Sequence, residues 1–484
     1  MAPKITRGFV WIRRDIRLHD HPALSHALEA CSEVHVGFIF DDTILAPLKT
    51  RPPLGIDRRV QFIAESLAEC DTQLRQYGSR LHIRYGNPSL EIPELVRALN
   101  IDRVYFNRDY SPYAVSRDTD MTEQLESMGA SVHSFRDHVI FEPEEILNNA
   151  KKPYGVFTPY SKAWRDRLSI SEDRLTPFST KWSHLAKSFD EPPLKVGFLL
   201  ELAGFEHIKN DLKGGSAAGL LRLNQFTEKM QHYDQARDFF GEEGTSKLSV
   251  YLRHGCISIR DMVNVALSYP SLGAEKWLSE LIWREFYQMI FHFHPWVNDR
   301  PYQNKFRDMQ WPTSEVYFEA FKNGHTGFPI IDAAMRCLNQ TGWMPNRLRM
   351  VTASFLTKIL LVDWKRGERY FSWKLLDYEL QSNNGGWQWA AGIGCDAAPY
   401  FRIFNPITQS KTYDTEGGFI RQYCPELSVL SHAQIHFPAG EKQLPLSFQL
   451  GVHYPMPIVD YASQRIKALE LFSHVSASAL VPKN

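Results

Sequence analysis

The first third of the chain alternates short apolar runs with longer amphipathic stretches. The apolar runs lie at residues 9–12, 34–40, 81–85, 103–106 and 131–135, with amphipathic stretches between them, for example at 59–77 and 118–128. Strands separated by helices are typical of a doubly wound parallel α/β sheet, which binds ligands at the carboxyl ends of its strands. No G-x-G-x-x-G follows the first run, so the pattern does not indicate a dinucleotide fingerprint.

The pattern then changes twice along the chain. Residues 139–205 carry scattered Pro and Ser and predict a long connector between domains. From residue 206 helical periodicity dominates, with strong helix candidates at 277–291, 329–339 and 346–361. The sequence therefore predicts an α/β domain over 1–138, a connector over 139–205 and an all-α domain over 206–484.

Composition limits the classes of function that remain. The chain has 484 residues and 43% hydrophobic content, enough for two cores, while its formal net charge is +0. A nucleic-acid site would therefore be a local patch. The six Cys form no C-x-x-C pair, which favours free thiols in a reducing compartment and no metal site. With no signal-peptide pattern and no apolar run near the roughly 20 residues that span a bilayer, a soluble cytoplasmic protein is expected.

Two helical segments carry candidate chemistry. Trp277, Glu280 and Arg284 share one helix face with Trp283 beside them, and a second face combines an Asn amide, an Arg fork and a Met thioether. Such groups suit a planar ligand with polar edges. For the first segment alone, an aromatic core stripe with an internal ion pair is an equally good interpretation, and the second segment alone is mostly structural. The second face consists of Asn346, Arg349 and Met350.

Two further segments are unusual for a protein core. Asn383-Asn384-Gly385-Gly386-Trp387-Gln388-Trp389 combines amides, a Gly pair that permits close approach to a ligand, and two Trp. Gly244-Thr245-Ser246-Lys247-Leu248-Ser249 offers hydroxyl and amide donors to a phosphate ahead of a helix, although by itself a helix N-cap is the better interpretation.

Taken in order, four segments resemble the DNA photolyase/cryptochrome family over nearly the whole chain. They are residues 11–20 (WIRRDIRLHD), 244–249 (GTSKLS), 383–389 (NNGGWQW) and 402–406 (RIFNP). The resemblance is in particular to the class I cyclobutane pyrimidine dimer photolyases of bacteria. It implies an N-terminal α/β antenna domain, a connector and a helical domain that holds FAD and the DNA lesion.

The resemblance also implies roles for single residues. Asn383 would face the flavin N5, and an electron-transfer chain would run from the flavin-proximal Trp387 through Trp364 to Trp311 at the surface. The other residues implied to bind FAD are Tyr233, Thr245, Ser246, Lys247, Leu248, Ser249, Trp277, Glu280, Arg284, Asn346, Arg349, Asp377, Tyr378 and Glu379. Those implied to contact the lesion or DNA are Glu280, Trp283, Asn346, Arg347, Met350, Trp389 and Arg402.

The implied activity is light-driven repair of UV-damaged DNA. Photoexcited reduced FAD would give one electron to a flipped-out cyclobutane dimer, the dimer would split, and the electron would return. A monomer is expected, with a second antenna chromophore of folate, deazaflavin or flavin type.

Two alternatives stay open at this stage. A (6-4) photolyase would carry His at the positions of Asn346 and Met350. A cryptochrome-like blue-light photoreceptor would often add a long C-terminal tail, whereas this sequence ends at Asn484. Three departures from the family pattern are Ala114, where an acidic folate contact is expected, Pro345, where His is common, and Glu379, where Asp is frequent.

Overall fold

The computed structural model describes residues 5–188 and 191–478, with only the backbone described for Glu172 and for 476–478. Within these ranges, five parallel strands form one sheet in the order β3-β2-β1-β4-β5. All five predicted strands are confirmed, and the observed bounds are β1 Arg7–Ile12, β2 Glu33–Asp41, β3 Leu81–Gly86, β4 Arg103–Asn107 and β5 Ser131–Phe135. Phe9, Val10 and Ile12 of the central strand β1 are fully buried, which explains its continuous apolar run.

Helices alternate with these strands and then replace them. The helices of the first half are α1 Pro22–Ala30, α2 Asp42–Lys49, α3 Arg58–Arg75, α4 Pro88–Leu99, α5 Pro112–Ser127, α6 Phe157–Leu168, α7 Val196–Ala203, α8 Ser216–Thr227 and α9 Tyr233–Ala236. The later ones are α10 Ser249–Arg253, α11 Ile259–Ser268, α12 Leu272–Phe293, α13 Glu315–Asn323, α14 Pro329–Thr341, α15 Asn346–Lys358, α16 Trp364–Lys374, α17 Leu380–Ala391, α18 Pro406–Tyr413, α19 Gly418–Tyr423 and α20 Tyr461–Ser478. The predicted fold, an α/β part followed by a helical part, is confirmed.

Packing divides the chain into two compact units. Unit 1 comprises Met1–Glu145, Trp164–Glu228 and Ser246–Pro270, and unit 2 comprises Ile146–Ala163, Lys229–Thr245 and Ser271–Asn484. The predicted boundaries at residues 138 and 205 both fall inside unit 1 and stay a prediction, because compact packing does not by itself mark a domain. Among the described residues, no helix is both long and apolar enough to cross a bilayer.

Each unit has its own apolar core. In unit 1, Phe9, Trp11 and Phe106 of the sheet pack with residues of α4 and α5. In unit 2, a larger cluster joins α14 to α17 and includes Trp364 and Trp387. The helices that carry most of the candidate residues therefore belong to a single packed body.

Candidate functional site: a polar face on the helices of unit 2

Helix α12 carries four of the predicted residues in unit 2. The helix starts five residues earlier than its first predicted residue, because Ser271 caps it by accepting a hydrogen bond from the Ala274 amide. Trp277 is 3% exposed, and the Arg284 guanidinium is buried. Arg284 Nη2 donates to Glu379 Oε1 at 2.8 Å, so this ion pair joins α12 to the residue before α17, whereas the core interpretation expected an ion pair within one segment.

Two Arg–carboxylate pairs fix the polar groups around the start of α17. Besides Arg284, the Gln288 amide and the Ser382 hydroxyl also donate to Glu379, at 3.3 Å each. Arg349 on α15 donates to Asp377 at 2.8 and 3.1 Å. The longer side chain of Glu379, a departure from the common Asp, therefore still reaches its Arg partner.

Asn383 is oriented by a carboxyl group that the sequence analysis missed. Its amide Nδ2 donates to Glu368 Oε1 at 2.7 Å and to the Glu368 backbone oxygen at 3.1 Å. Burial raises the pKa of Glu368 above its ordinary range, although the Asn383 hydrogen bond opposes the shift. Since the NH₂ group is committed to Glu368, the Asn383 carbonyl oxygen is the atom left to accept from a ligand.

Glu280 is held by Arg237, which the sequence analysis also missed. Arg237 Nη1 forms an ion pair with Glu280 Oε1, and its guanidinium lies 5.3 Å from the centre of the Tyr233 ring. Burial raises the pKa of Tyr233, with the negative charge of Glu280 adding to the effect. The predicted residues Tyr233 and Glu280 thus belong to one cluster, linked by Arg237.

The first turn of α15 brings the predicted lesion residues together. Pro345 precedes the helix as its N-cap residue, and Asn346 Nδ2 lies 3.7 Å from Met350 Sδ on the exposed side. Arg347 pairs closely with Asp238 and lies 4.1 Å from the Tyr413 ring centre. Arg347 is therefore partly neutralised before any DNA phosphate is present.

Trp283 lies at the edge of an aromatic cluster formed by α12 and the start of α6. Its ring stacks on Phe157 with centroids 3.8 Å apart and planes 6° from parallel.

On α17, a Cβ added to Gly385 would lie 2.3 Å from the Tyr287 ring, so this glycine admits a side chain of α12 and not a ligand. A Cβ at Gly386 would meet nothing within 4 Å, which leaves that side of α17 open. Trp389, one turn further on, is half-buried.

The three Trp of the predicted electron-transfer chain differ in burial. Trp387 and Trp364 are 3% and 2% exposed, whereas Trp311 is half-buried and packs edge-on against Phe472. A Cβ on Gly367 would lie 2.1 Å from the Trp387 ring, so this glycine lets α16 pack directly on the indole. Burial alone does not test the order Trp387, Trp364, Trp311, so the electron-transfer chain stays a prediction.

The remaining predicted residues lie in both units. Thr245 belongs to unit 2, whereas Ser246, Lys247, Leu248 and Ser249 belong to unit 1, where α10 begins at Ser249. Lys247 has φ of 52°, and Ser246 Oγ accepts from the Leu248 amide at 3.3 Å. Arg402 is exposed in the loop before α18, and Tyr378 is half-buried beside Asp377.

The carboxyl ends of β1 and β4 in unit 1 hold charged side chains packed against one another. Arg13 binds both oxygens of Asp118 at 2.6 and 2.7 Å, and Asp15 accepts from Asn107 and contacts His21 at 3.0 Å. Burial alone would raise the pKa of Asp15, but His21 lowers it to about 2. Strand order reverses between these two strands, where such sheets usually bind ligands, and these ion pairs lie at that edge of the sheet. Ala114 is buried.

The polar face of unit 2 fits a flavin. Two guanidinium–carboxylate pairs, the open oxygen of Asn383 and the open side of Gly386 match a planar ring edged with amide-like groups. Gln288, whose amide donates to Glu379, also has a buried oxygen, Oε1, with no hydrogen-bond partner. Fold and site therefore define a flavin-binding helical unit joined in one chain to a parallel α/β unit.

Comparisons with known proteins agree with this class. Residues 277–474 match the family model described as the FAD binding domain of DNA photolyase, and residues 9–181 match the model described as DNA photolyase. The segment Thr245–Ser249 lies outside both matches. The chain is 40% identical over 481 residues to the deoxyribodipyrimidine photo-lyase of Alkalihalophilus pseudofirmus, covering 96% of this chain and 97% of that protein. The chain belongs to the photolyase/cryptochrome family.

Solved structures show the same fold. A bacterial class III photolyase from Agrobacterium tumefaciens superimposes with a TM-score of 0.87 at 31% identity, covering 99% of both chains. A cryptochrome from Synechocystis superimposes with a TM-score of 0.82 at 27% identity, covering 96% of this chain and 99% of that one. Similarity of fold alone therefore does not distinguish a repair enzyme from a photoreceptor. The side chains of the site are needed to distinguish the two functions.

Proposed function

We propose that this protein repairs cyclobutane pyrimidine dimers in UV-damaged DNA, using light and FAD. The observation that carries the proposal is the exposed pair Asn346 and Met350 on the first turn of α15. Splitting a cyclobutane ring needs an electron but no proton relay, and neither side chain titrates near neutral pH. The similarity to proteins named deoxyribodipyrimidine photo-lyase supports the same activity.

FAD would lie against the polar face of unit 2. When bound and reduced, it supplies a single electron on absorbing light. Asn383, oriented by Glu368, offers a neutral acceptor at the ring, and the Arg284–Glu379 and Arg349–Asp377 pairs present fixed polar edges. The residues proposed to complete the site are Tyr233, Thr245, Ser246, Lys247, Leu248, Ser249, Trp277, Glu280, Asn346 and Tyr378.

The lesion would bind between aromatic and polar groups of α12, α15 and α17. Trp283 and Trp389 would stack on the pyrimidine rings, which contributes roughly 1–3 kcal/mol per base. Glu280 would accept from the pyrimidine N–H groups, and its pair with Arg237 holds it in place. Met350 would pack against the dimer, and Arg347 and Arg402 would contact phosphates.

Several finer properties are proposed on the resemblance of motifs. They are membership of class I, extrusion of the dimer from the duplex, a monomeric state, a cytoplasmic location and a light-harvesting antenna chromophore of folate, deazaflavin or flavin type.

Two defined oligonucleotides test the proposal. One carries a single cyclobutane dimer and the other a single (6-4) photoproduct, and each is incubated with FAD-loaded, chemically reduced protein under blue light or in darkness. We expect light-dependent restoration of the cyclobutane dimer alone. Repair of the (6-4) lesion alone would reassign the substrate. Repair of neither lesion would favour a photoreceptor, and failure to bind FAD would remove the basis of both.

A further inference from the structure

Phe157 has no role in the chemistry described so far, yet its ring lies in close contact with Trp283, one of the residues proposed to bind the lesion. It lies at the start of α6, in a stretch whose sequence predicted only a connector. Its ring stacks on Trp283 with centroids 3.8 Å apart and planes within 6°. This separation is van der Waals contact, so no base can enter between the two rings.

The stacked pair is supported from one side by a third ring. Phe286 meets Phe157 edge-on at 81° and Trp283 edge-on at 87°, with centroids 5.9 and 5.5 Å apart. Tyr160, one turn along α6, is 2% exposed and packs on Phe286 at 5.3 Å. Edge-to-face contacts of this kind define ring orientation. The plane of the Trp283 indole is therefore set by side chains of α6 and α12.

Backbone contacts hold Phe157 in place from the loop after α17. The Phe157 amide donates to Asp396 Oδ2 at 3.0 Å, and the Gly155 carbonyl accepts from Cys395 Sγ at 3.0 Å. Residues around Phe157 are exposed, with Val156 at 47%, so the ring is fixed at the surface of unit 2 and not within its core. The same loop continues to Arg402.

We propose that Phe157 is a positioning residue for lesion recognition, which covers one face of the Trp283 indole and so reserves the opposite face for the damaged pyrimidines. This inference rests on the proposed function, since it assumes that Trp283 stacks on the lesion. The indole is also contacted by the Tyr287 ring, 5.5 Å away and tilted by 34°. An indole held by these rings loses little freedom when a base stacks on it, so Phe157 increases the preference for damaged over undamaged DNA.

The test compares Phe157→Leu with the conservative Phe157→Tyr. Dissociation constants are measured in the dark for a dimer-containing oligonucleotide and its undamaged counterpart, on FAD-loaded protein. For Phe157→Leu we expect the ratio of the two affinities to fall about three- to tenfold, with the repair rate at saturating lesion within about twofold of wild type. Phe157→Tyr keeps the stack and should keep the ratio.

Two further variants separate this role from general loosening of the fold. Phe437→Leu removes a different stacked pair of unit 2, with Phe328 at 5.6 Å, and should leave the affinity ratio unchanged. Asp396→Ala removes the backbone anchor and no ring, and should lower the ratio less than Phe157→Leu. An unchanged ratio in Phe157→Leu, or an equal fall in Phe437→Leu, would overturn the inference. If the wild-type protein repairs dimers under the same conditions, the proposed function holds whether or not the inference about Phe157 does.

Discussion

At the scale of single residues, Glu280 is the group whose loss should weaken lesion binding most directly. Its carboxylate is already oriented by Arg237, so a charge-assisted hydrogen bond to the pyrimidine edge costs little ordering. Such bonds contribute roughly 1.5–3 kcal/mol, and Glu280→Ala should weaken binding of dimer DNA by about ten- to a hundredfold, with Glu280→Gln in between. Competition binding in the dark measures this. Equal affinity for both variants and wild type would contradict the role.

Trp387 should be needed to prepare the cofactor and not to repair the lesion. The proposed chain delivers electrons to oxidised flavin, whereas repair returns the electron it uses. Trp387→Phe should therefore abolish light-driven flavin reduction, followed by absorbance, while dithionite-reduced variant still repairs dimers. Trp373→Phe, at an exposed Trp of the neighbouring helix α16, is the control and should photoreduce normally. Loss of repair in the pre-reduced Trp387 variant would give this residue a second role.

The residues of the site were predictable from the sequence only where they lie in dense motifs. Asn383 and Glu379 stand out because amides, glycines and acids cluster there. Their partners Glu368 and Arg284 lie 15 and 95 positions away, and nothing in local spacing pairs them. Phe157 was missed for the same reason, because one Phe in a Pro-rich stretch carries no signal until the fold brings it onto Trp283.

At the scale of elements, strands were predicted more precisely than helix ends. The strand β1 is a run of fully buried apolar residues, and such runs are visible in sequence. Helix ends depend on single capping contacts, and so α12 begins at Leu272 after the Ser271 cap. Likewise α15 ends at Lys358, before Leu361 adopts a φ of 54°, although apolar residues continue past the end.

Helix α15 contains a buried Lys358 whose charge should make stability depend on pH. Lys358 is 0% exposed, its Nζ donates to the Arg402 carbonyl at 3.2 Å, and burial lowers its pKa from 10.5 to about 7. Between these values the unfolded chain binds a proton that the folded chain does not, so this group makes stability rise with pH from about 7 to 10.5.

Lys358→Met should remove that dependence. The free energy of unfolding of the variant, relative to that of wild type, should be highest at or below about pH 7 and should fall progressively at higher pH. Urea unfolding at the two ends of the range measures the difference, and the exposed Lys365→Met serves as a control whose effect should be the same at both ends. A difference that grows with pH would show that Lys358 is not the buried base described.

At the scale of the whole molecule, a neutral total charge is compatible with a DNA affinity that depends on salt concentration. The basic side chains proposed to contact phosphates are Arg347 and Arg402. Each phosphate neutralised on duplex DNA contributes a slope of about −0.9 in log K against log salt. Because Arg347 is already paired with Asp238, Arg402→Gln should reduce the slope more than Arg347→Gln. A wild-type DNA affinity that does not change with salt concentration would exclude a groove that contacts the DNA phosphates.

The two compact units are interleaved along the chain, and this governs the order in which they can be completed during synthesis. Unit 1 contains Ser246–Pro270, so it lacks a part until more than half of the protein has been made. Unit 2 begins with Ile146–Ala163, which includes Phe157, and this stretch has to wait for Ser271 onward before it finds its partners. No single cut can therefore release both units intact, and an expressed N-terminal fragment ending before residue 246 would leave an unfinished surface exposed to chaperones and proteases.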